Sequence, residues 1–280
     1  TIITFMKRNY KILLVVTFLS LSLLAFKSNY ATSTDPDKDK LLLELLTFVL
    51  EKGHYSPVAM DDAFSKGVYK DYIEALDPSK RFFLQSDIVE FSKYELQLDD
   101  ELQNKDLTFF DLTYTRLMQR MEESKAIYKS VLSKTFDYKV DESFNTNYEK
   151  MPYAKNVAEL NERWRKQIKL STLSSLVDRL EIQENNGKVD KDLKEAAAPI
   201  NPEGTFQENP ADKKKEVTAD AGKVKTFEEL EKDTRESSLK SLDEYFGFIK
   251  DLDRNDYFSV YLNTITGRFD PHTNYLAPEE

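Results

Sequence analysis

The stretch "TFFDLTYTRLMQRMEESKAIYKSVL" (Thr108–Leu132) decides the fold class. Phe110, Tyr114, Leu117, Met121, Tyr128 and Leu132 recur at steps of three, four and seven. A half-buried strand alternates every second residue, whereas a helix repeats every 3.6, so this stripe predicts about seven turns of helix with one apolar face. The same periodicity continues in both directions along the chain.

Upstream, Asp35-Pro36 opens a helix over "LLLELLTFVLEKGHY" that ends near Gly53, with Pro at the first helical position. Met60, Phe64, Val68, Tyr72 and Leu76 form the next stripe, thickened by Ala63, Tyr69 and Ile73, and Pro78 stops it. Ser86 is the expected cap of a third helix whose Ile88, Phe91, Leu98 and Leu102 share a face. Downstream, Asn156 and Glu159 match a capping box opening a helix with Leu160, Trp164, Ile168, Leu170, Leu173, Leu176 and Leu180 as its apolar positions. Thr226 and Glu229 match a second, before a helix carrying Leu230, Leu239, Leu242, Phe246 and Ile249. A last helix from about Asn255 uses Phe258, Leu262, Ile265 and Phe269. The expected fold is an all-α, irregular multi-helix domain. Its least regular part, "TFDYKVDESFNTNYEKMPY" (135–153), has room for an extended segment.

Two segments stand apart. Residues 184–225 are rich in Lys, Glu, Asp, Pro and Ala and nearly lack large apolar groups, so they read as a disordered charged insertion. It divides the domain into a first part, 36–183, and a second, 226–269. At the other end, Lys7, Arg8 and Lys11 precede fifteen mainly apolar residues from Ile12 to Phe26, with small residues up to Ala31. That layout reads as a secretory signal peptide over 1–31, with an extension upstream of Met6. The alternative is an uncleaved anchor, for which fifteen residues is short.

Composition excludes several classes of function. The chain of 280 residues has a formal net charge of -10; beyond residue 31 it holds 36 bases against 50 acids, which repels phosphate backbones and argues against nucleic acid. There is no cysteine, and the two histidines, His54 and His272, lie more than two hundred residues apart, so no metal-ligand cluster is expected. The acidic runs Asp61-Asp62 and Asp99-Asp100-Glu101 fit helix-start and solvation roles. "SSLKS" (Ser237–Ser241) puts Lys240 near two serines, but on the polar side of its helix, where the amine is not desolvated. No residue is assigned to catalysis, cofactor binding or metal ligation.

"FDPHTNYLAP" (Phe269–Pro278) is the most specific motif in the chain, and it resembles the junction segment of the bacterial tail-specific proteases, the exported C-terminal processing peptidases. "HYSPVAMDDAFSKGVYKDYIEALD" (His54–Asp77), "FFLQSDIVEF" (Phe82–Phe91) and "KNVAELNERWRKQIK" (Lys155–Lys169) resemble that family's helices in the same order. In the family a DPHT(N/S)YL segment joins an N-terminal helical domain to a PDZ domain. The resemblance implies a serine-type peptidase located in the periplasm or cell envelope. Its PDZ domain would engage protein substrates with apolar C-termini, and its nucleophilic Ser and general-base Lys would lie in a later domain. An adaptor protein is a further possible partner, and the membrane is touched through the signal segment alone. On this reading residues 270–280 are a hinge leading to an absent PDZ domain, formed by Asp270, Pro271, His272, Thr273, Asn274, Tyr275 and Leu276. Pro271 ends the helix, Asp270 or Thr273 fixes the turn, and Tyr275 and Leu276 pack on the next domain. The competing readings are a free-standing exported helical binding protein and a hydrolase using its own carboxylates.

Overall fold

The structure is a computed structural model describing residues 36–185 and 224–277. The signal-peptide reading, most of the charged insertion and Pro278 fall outside these residues. The chain divides into two compact units, Thr1–Leu42 and Leu43–Glu280. Of the first, the described residues are the opening turns of one helix.

Among the described residues there are eight α-helices and no strand: α1 Pro36–Gly53, α2 Asp62–Leu76, α3 Gln85–Phe91, α4 Leu98–Asn104, α5 Thr108–Leu132, α6 Val157–Glu184, α7 Phe227–Asp251 and α8 Arg254–Gly267. A 3-10 turn, Ser92–Tyr94, follows α3. The all-α expectation holds. The helix that decides the fold class, α5, is central and packs against α3, α6, α7 and α8.

Local chemistry sets most of the helix starts. The Asp61 carboxylate accepts the Ala63 and Phe64 N–H groups at 3.0 Å, so α2 begins after Met60, which lies outside the helix. Thr226 and Glu229 form the expected reciprocal box, with Oγ1 accepting at 3.2 Å and the carboxylate accepting the Thr226 N–H at 2.9 Å. Asn156 accepts the Glu159 N–H at 2.9 Å, but the Glu159 carboxylate reaches back to the Lys155 N–H instead of closing the box.

The third helix departs from expectation. Ile88, Phe91, Leu98 and Leu102 do not lie on one helix; the chain turns between α3 and α4, although Phe91, Leu98 and Leu102 are all buried. The cause is a tertiary contact. Ser65 on α2 donates its hydroxyl to Asp99 Oδ1 (2.5 Å) and accepts the Asp99 N–H (2.9 Å), which fixes a new helix start at Leu98. Nor does Ser86 cap α3. It lies inside the first turn, and Asp87 caps the helix by accepting the Leu84 N–H at 2.8 Å.

Two aromatic clusters fill the interior. Tyr72, Phe109, Phe110, Phe258 and Tyr261 join α2, α5 and α8. Tyr128 and Phe246 stack at 5.0 Å beside Trp164 and Phe82, joining α5, α6 and α7. The loop between α2 and α3 is held by Asp77, which accepts the N–H groups of Arg81, Phe82 and Phe83, while Trp164 Nε1 donates to the Arg81 carbonyl at 2.8 Å. On α6, Leu170 and Leu173 prove exposed; the buried face runs through Leu160, Trp164, Ile168 and Leu176. The irregular stretch after α5 stays irregular and lies along α6, where Glu142 pairs with Arg165 and Lys169, and its pKa drops to about 2. The extended contact falls just past it, as a single parallel bridge between Leu84 and Ala154.

The carboxylates at the start of α5 give a pH test. Glu101 is buried, and its Oε2 accepts the Phe109 N–H at 3.3 Å. Burial pushes its pKa up to about 7; the Phe109 bond opposes this, and Asp106 and Asp111 add to it. A raised carboxyl pKa means the fold favours the protonated form. The contribution to stability is therefore complete below the unfolded value of about 4.3 and lost as pH rises through about 7. Glu101→Gln, which can still accept from Phe109, is expected to match the parent's melting temperature near pH 4 and exceed it at pH 8. Equal melting curves at pH 8 would refute this assignment.

Candidate functional site: the strapped junction

Residues 270–277 leave the end of α8 and return across the segment joining α1 to α2. Three anchors hold them. The first is Phe269, buried against Phe64 (centroids 5.7 Å apart) and against the edge of His54 (5.6 Å). Just before it, Arg268 crosses α2 at Gly67 and pairs with Asp71 at 3.1 Å. A Cβ on Gly67 would come within 2.5 Å of the Arg268 guanidinium carbon, so the glycine leaves room for this crossing.

The second anchor ties the motif to the two residues after α1. Tyr55 donates its hydroxyl to Asp270 Oδ2 at 2.5 Å, and Asp270 Oδ1 accepts the His272 N–H at 2.7 Å. One carboxylate thus closes the turn with one oxygen and docks it with the other. The Thr273 N–H completes the turn on the Asp270 carbonyl at 3.0 Å. His54 lies beside them. Its Nδ1 lies 2.8 Å from the Ser56 carbonyl and 3.2 Å from the Ser56 N–H, and its Nε2 lies 3.3 Å from the Thr273 hydroxyl, the ring's tautomer setting which atom donates in each pair.

The third anchor is Asn263 on α8. Its Oδ1 accepts the Tyr275 N–H at 2.7 Å and its Nδ2 donates to the Tyr275 carbonyl at 3.1 Å. The side-chain amide thereby engages both backbone groups of one residue, as a neighbouring strand would. Pro271, His272 and Asn274 are exposed, and Leu276 is 85 % exposed at the end of the strap.

The electrostatics follow from the Tyr55–Asp270 bond. Accepting from Tyr55 and from the His272 N–H holds the Asp270 carboxyl below its ordinary value, and the same bond raises the Tyr55 hydroxyl. Both shifts favour a protonated tyrosine against an ionised aspartate. The Asp270 contribution is present above the unfolded carboxyl value, near 3.9, and disappears as pH falls through the lower folded value. The Tyr55 contribution is lost as pH rises through its own raised value, above the usual 10 or so. Tyr55→Phe is expected to leave the melting temperature nearly unchanged, because the bond is exposed. It should speed amide exchange at His272 and Thr273 several-fold. Unaltered exchange at both amides would mean the bond does not hold the turn.

Of the residues the sequence singled out, Asp270 accepts the His272 N–H, and Thr273 meets the Asp270 carbonyl through its backbone and His54 through its hydroxyl. Sequence reasoning missed their partners: Tyr55 is 215 residues from Asp270, and His54 is 219 from Thr273. The signal was present in the His-Tyr and Asp-Pro-His-Thr motifs, but nothing in it said that they touch. Asn263 gave no signal at all. Elsewhere, Ser237 donates to the Asp233 carbonyl and Lys240 faces Glu244 on an open surface, so these groups are not drawn together. Among the described residues, no group of three or more His, Asp or Glu is placed to hold a metal ion.

The described residues thus form an all-α body whose segment 270–277 is strapped back onto the stretch joining α1 to α2. The family model "Tail specific protease N-terminal domain" matches residues 46–279, and the chain belongs to that family. It is also 32% identical over 135 residues to the Tail-specific protease of Haemophilus influenzae. That stretch is 48% of this chain but 19% of the relative, so most of the relative's length has no counterpart here.

Proposed function

We propose that this chain is the helical scaffold portion of an exported serine-type protease that processes proteins from their C-termini, with the peptide-bond chemistry carried further along the polypeptide. The family membership and the relative's greater length support this reading, as does the basic-apolar-small layout of residues 1–31 for export. The observation that carries it is the strap. Asp270, Thr273 and Tyr275 are each bonded to residues far away in the sequence or on α8, so residues 270–275 follow one held path over the helical body, as a junction segment requires. In this role Asp270–Leu276 is the hinge segment, and a following PDZ domain presents substrates with apolar C-termini to a distant Ser and Lys. Motions of that kind concentrate in a few element-terminal residues.

The test has two arms. The chain incubated with an unfolded protein ending in apolar residues is expected to give no cleavage; turnover abolished by a serine-directed inhibitor would refute the division of labour. In the longer protease, Asp270→Ala combined with Asn263→Ala is expected to lower the rate of processing while leaving hydrolysis of a small untailed peptide intact. Equal loss on both substrates would argue against a hinge role.

A further inference from the structure

Arg81, in the loop between α2 and α3, is only 8 % exposed, yet its charge has no anionic partner. Its backbone is fully used: the N–H donates to Asp77 Oδ1 at 2.9 Å, and the carbonyl accepts from Trp164 Nε1 at 2.8 Å. Its guanidinium is not. None of the guanidinium N–H groups donates to an acceptor among the described residues, and no carboxylate forms an ion pair with it. Aromatic rings surround the head instead, with Tyr245, Phe82 and Trp164 centred 4.9, 5.1 and 5.3 Å from the guanidinium carbon. Ring faces attract the charge but offer no oxygen to its N–H edges. Among the described residues, the sealed polar atoms without a partner are the Tyr72, Tyr138 and Tyr261 hydroxyls and Gln167 Oε1. The Arg81 nitrogens are not among them, so what exposure this residue keeps lies at its unpartnered head.

We propose that Arg81, in its cage of Phe82, Trp164 and Tyr245, is a receptor for a single carboxylate carried by a polypeptide. A buried charge is normally paired, and the groups nearby do not pair this one. Asp77, whose carboxyl is pushed up because burial outweighs the backbone N–H groups and the Arg81 charge, spends both oxygens on the Arg81, Phe82 and Phe83 N–H groups. The neighbouring cations are engaged elsewhere. Lys80 Nζ donates to the Glu149 and Met151 carbonyls, and Arg163 donates to the Lys80 and Pro152 carbonyls. The Arg81 fork is therefore left to meet an anion by itself, which selects a monovalent one. A carboxylate matches the fork with two parallel hydrogen bonds, whereas a phosphate dianion needs a second cation to balance it. A chain terminus and an acidic side chain both supply that group.

Trp164 is the chain's single tryptophan, so its fluorescence reports on the cage directly. The chain would be titrated with three short N-acetylated alanine peptides at constant ionic strength: one with a free C-terminus, one amidated, and one amidated with an internal Glu. The expected result is a saturable change in Trp164 emission, with half-saturation at millimolar peptide, for one or both carboxylate-bearing peptides and not for the neutral one. A response to the free terminus alone assigns the site to chain ends, and a response to the Glu peptide alone assigns it to acidic side chains. Arg81→Met, which keeps the stem, should weaken binding at least tenfold, and Arg81→Lys, which keeps the charge but loses the fork, should fall between. Equal response to the neutral peptide, no saturable response to any, or undiminished affinity in folded Arg81→Met would each overturn the proposal. A second readout needs no variant: the Nε–Hε resonance of Arg81 in the parent chain should shift along the same titration curve. If circular dichroism shows that Arg81→Met has lost its helices, that resonance decides, and its failure to move would refute the site.

Discussion

Asp87→Ala is expected to lower the free energy of unfolding by about 3–5 kcal/mol, the range for removing one partner of a buried charge cluster. Asp87 is completely buried. Its carboxylate accepts from the Leu84 N–H, from Arg116 and from both Nε and Nη2 of Arg120, tying α3 to the central helix α5. Truncation leaves two guanidinium groups facing a cavity, with Glu90 and Glu123 as their remaining partners. It also removes the cap of α3. At roughly 2–4 °C per kcal/mol for a domain of this size, the melting temperature should fall by about 6–20 °C. Asp87→Asn, which keeps the shape and one acceptor, should cost less. Burial by itself would raise the Asp87 pKa, but Arg120, the Leu84 N–H and Arg116 outweigh it and hold the group below its usual range. Its contribution is therefore present above the unfolded value of about 3.9 and lost as pH falls through the lower folded one. The parent and the alanine variant should converge in stability in strong acid. A melting temperature within about 2 °C of the parent at pH 7 would refute this account.

Phe269→Ala is expected to cost about 3 kcal/mol, near the low end for truncating a buried aromatic because the site borders the surface. The loss should be local as well as global. Phe269 holds the end of α8 against Phe64 and packs against the His54 ring, so without it the hydrogen bonds of the strap lose their backing. Amide exchange should accelerate from Thr266 to Tyr275, and the Tyr55 and His54 contacts should weaken together. Leu276→Ala is the control. That residue is so exposed that the chain's own stability should not change. A variant with the expected fall in melting temperature but unaltered exchange along 270–275 would separate Phe269 from the strap.

Much of the fold was legible because helices are specified over short distances. The stripe in α5, the Thr226–Glu229 box and the Asn156 cap are relations among residues three or four apart, and each appears in the structure. Errors came where a distant group overrode the local pattern. Ile88, Phe91, Leu98 and Leu102 have helical spacing, yet Ser65 bonds to Asp99 and restarts the helix. Leu170 and Leu173 have the spacing of a core stripe, yet they face outward because α6 turns Trp164 and Leu176 toward α7 and α5. The junction motif was visible as a sequence, but its attachments were not. Tyr55 and His54 looked like ordinary residues past a helix end until the fold brought Asp270 and Thr273 to them.

The amino-acid sequence alone determined that this protein is helical, where most of its helices begin, and which ten residues carry its most specific motif. Periodicity and capping are interactions within a single turn, so they can be read without knowing where the chain goes next. Tertiary structure decided that α3 and α4 are separate and that the motif is strapped to the end of α1. Those facts depend on contacts between residues as many as 219 positions apart, and no local pattern fixes which distant partner will be met.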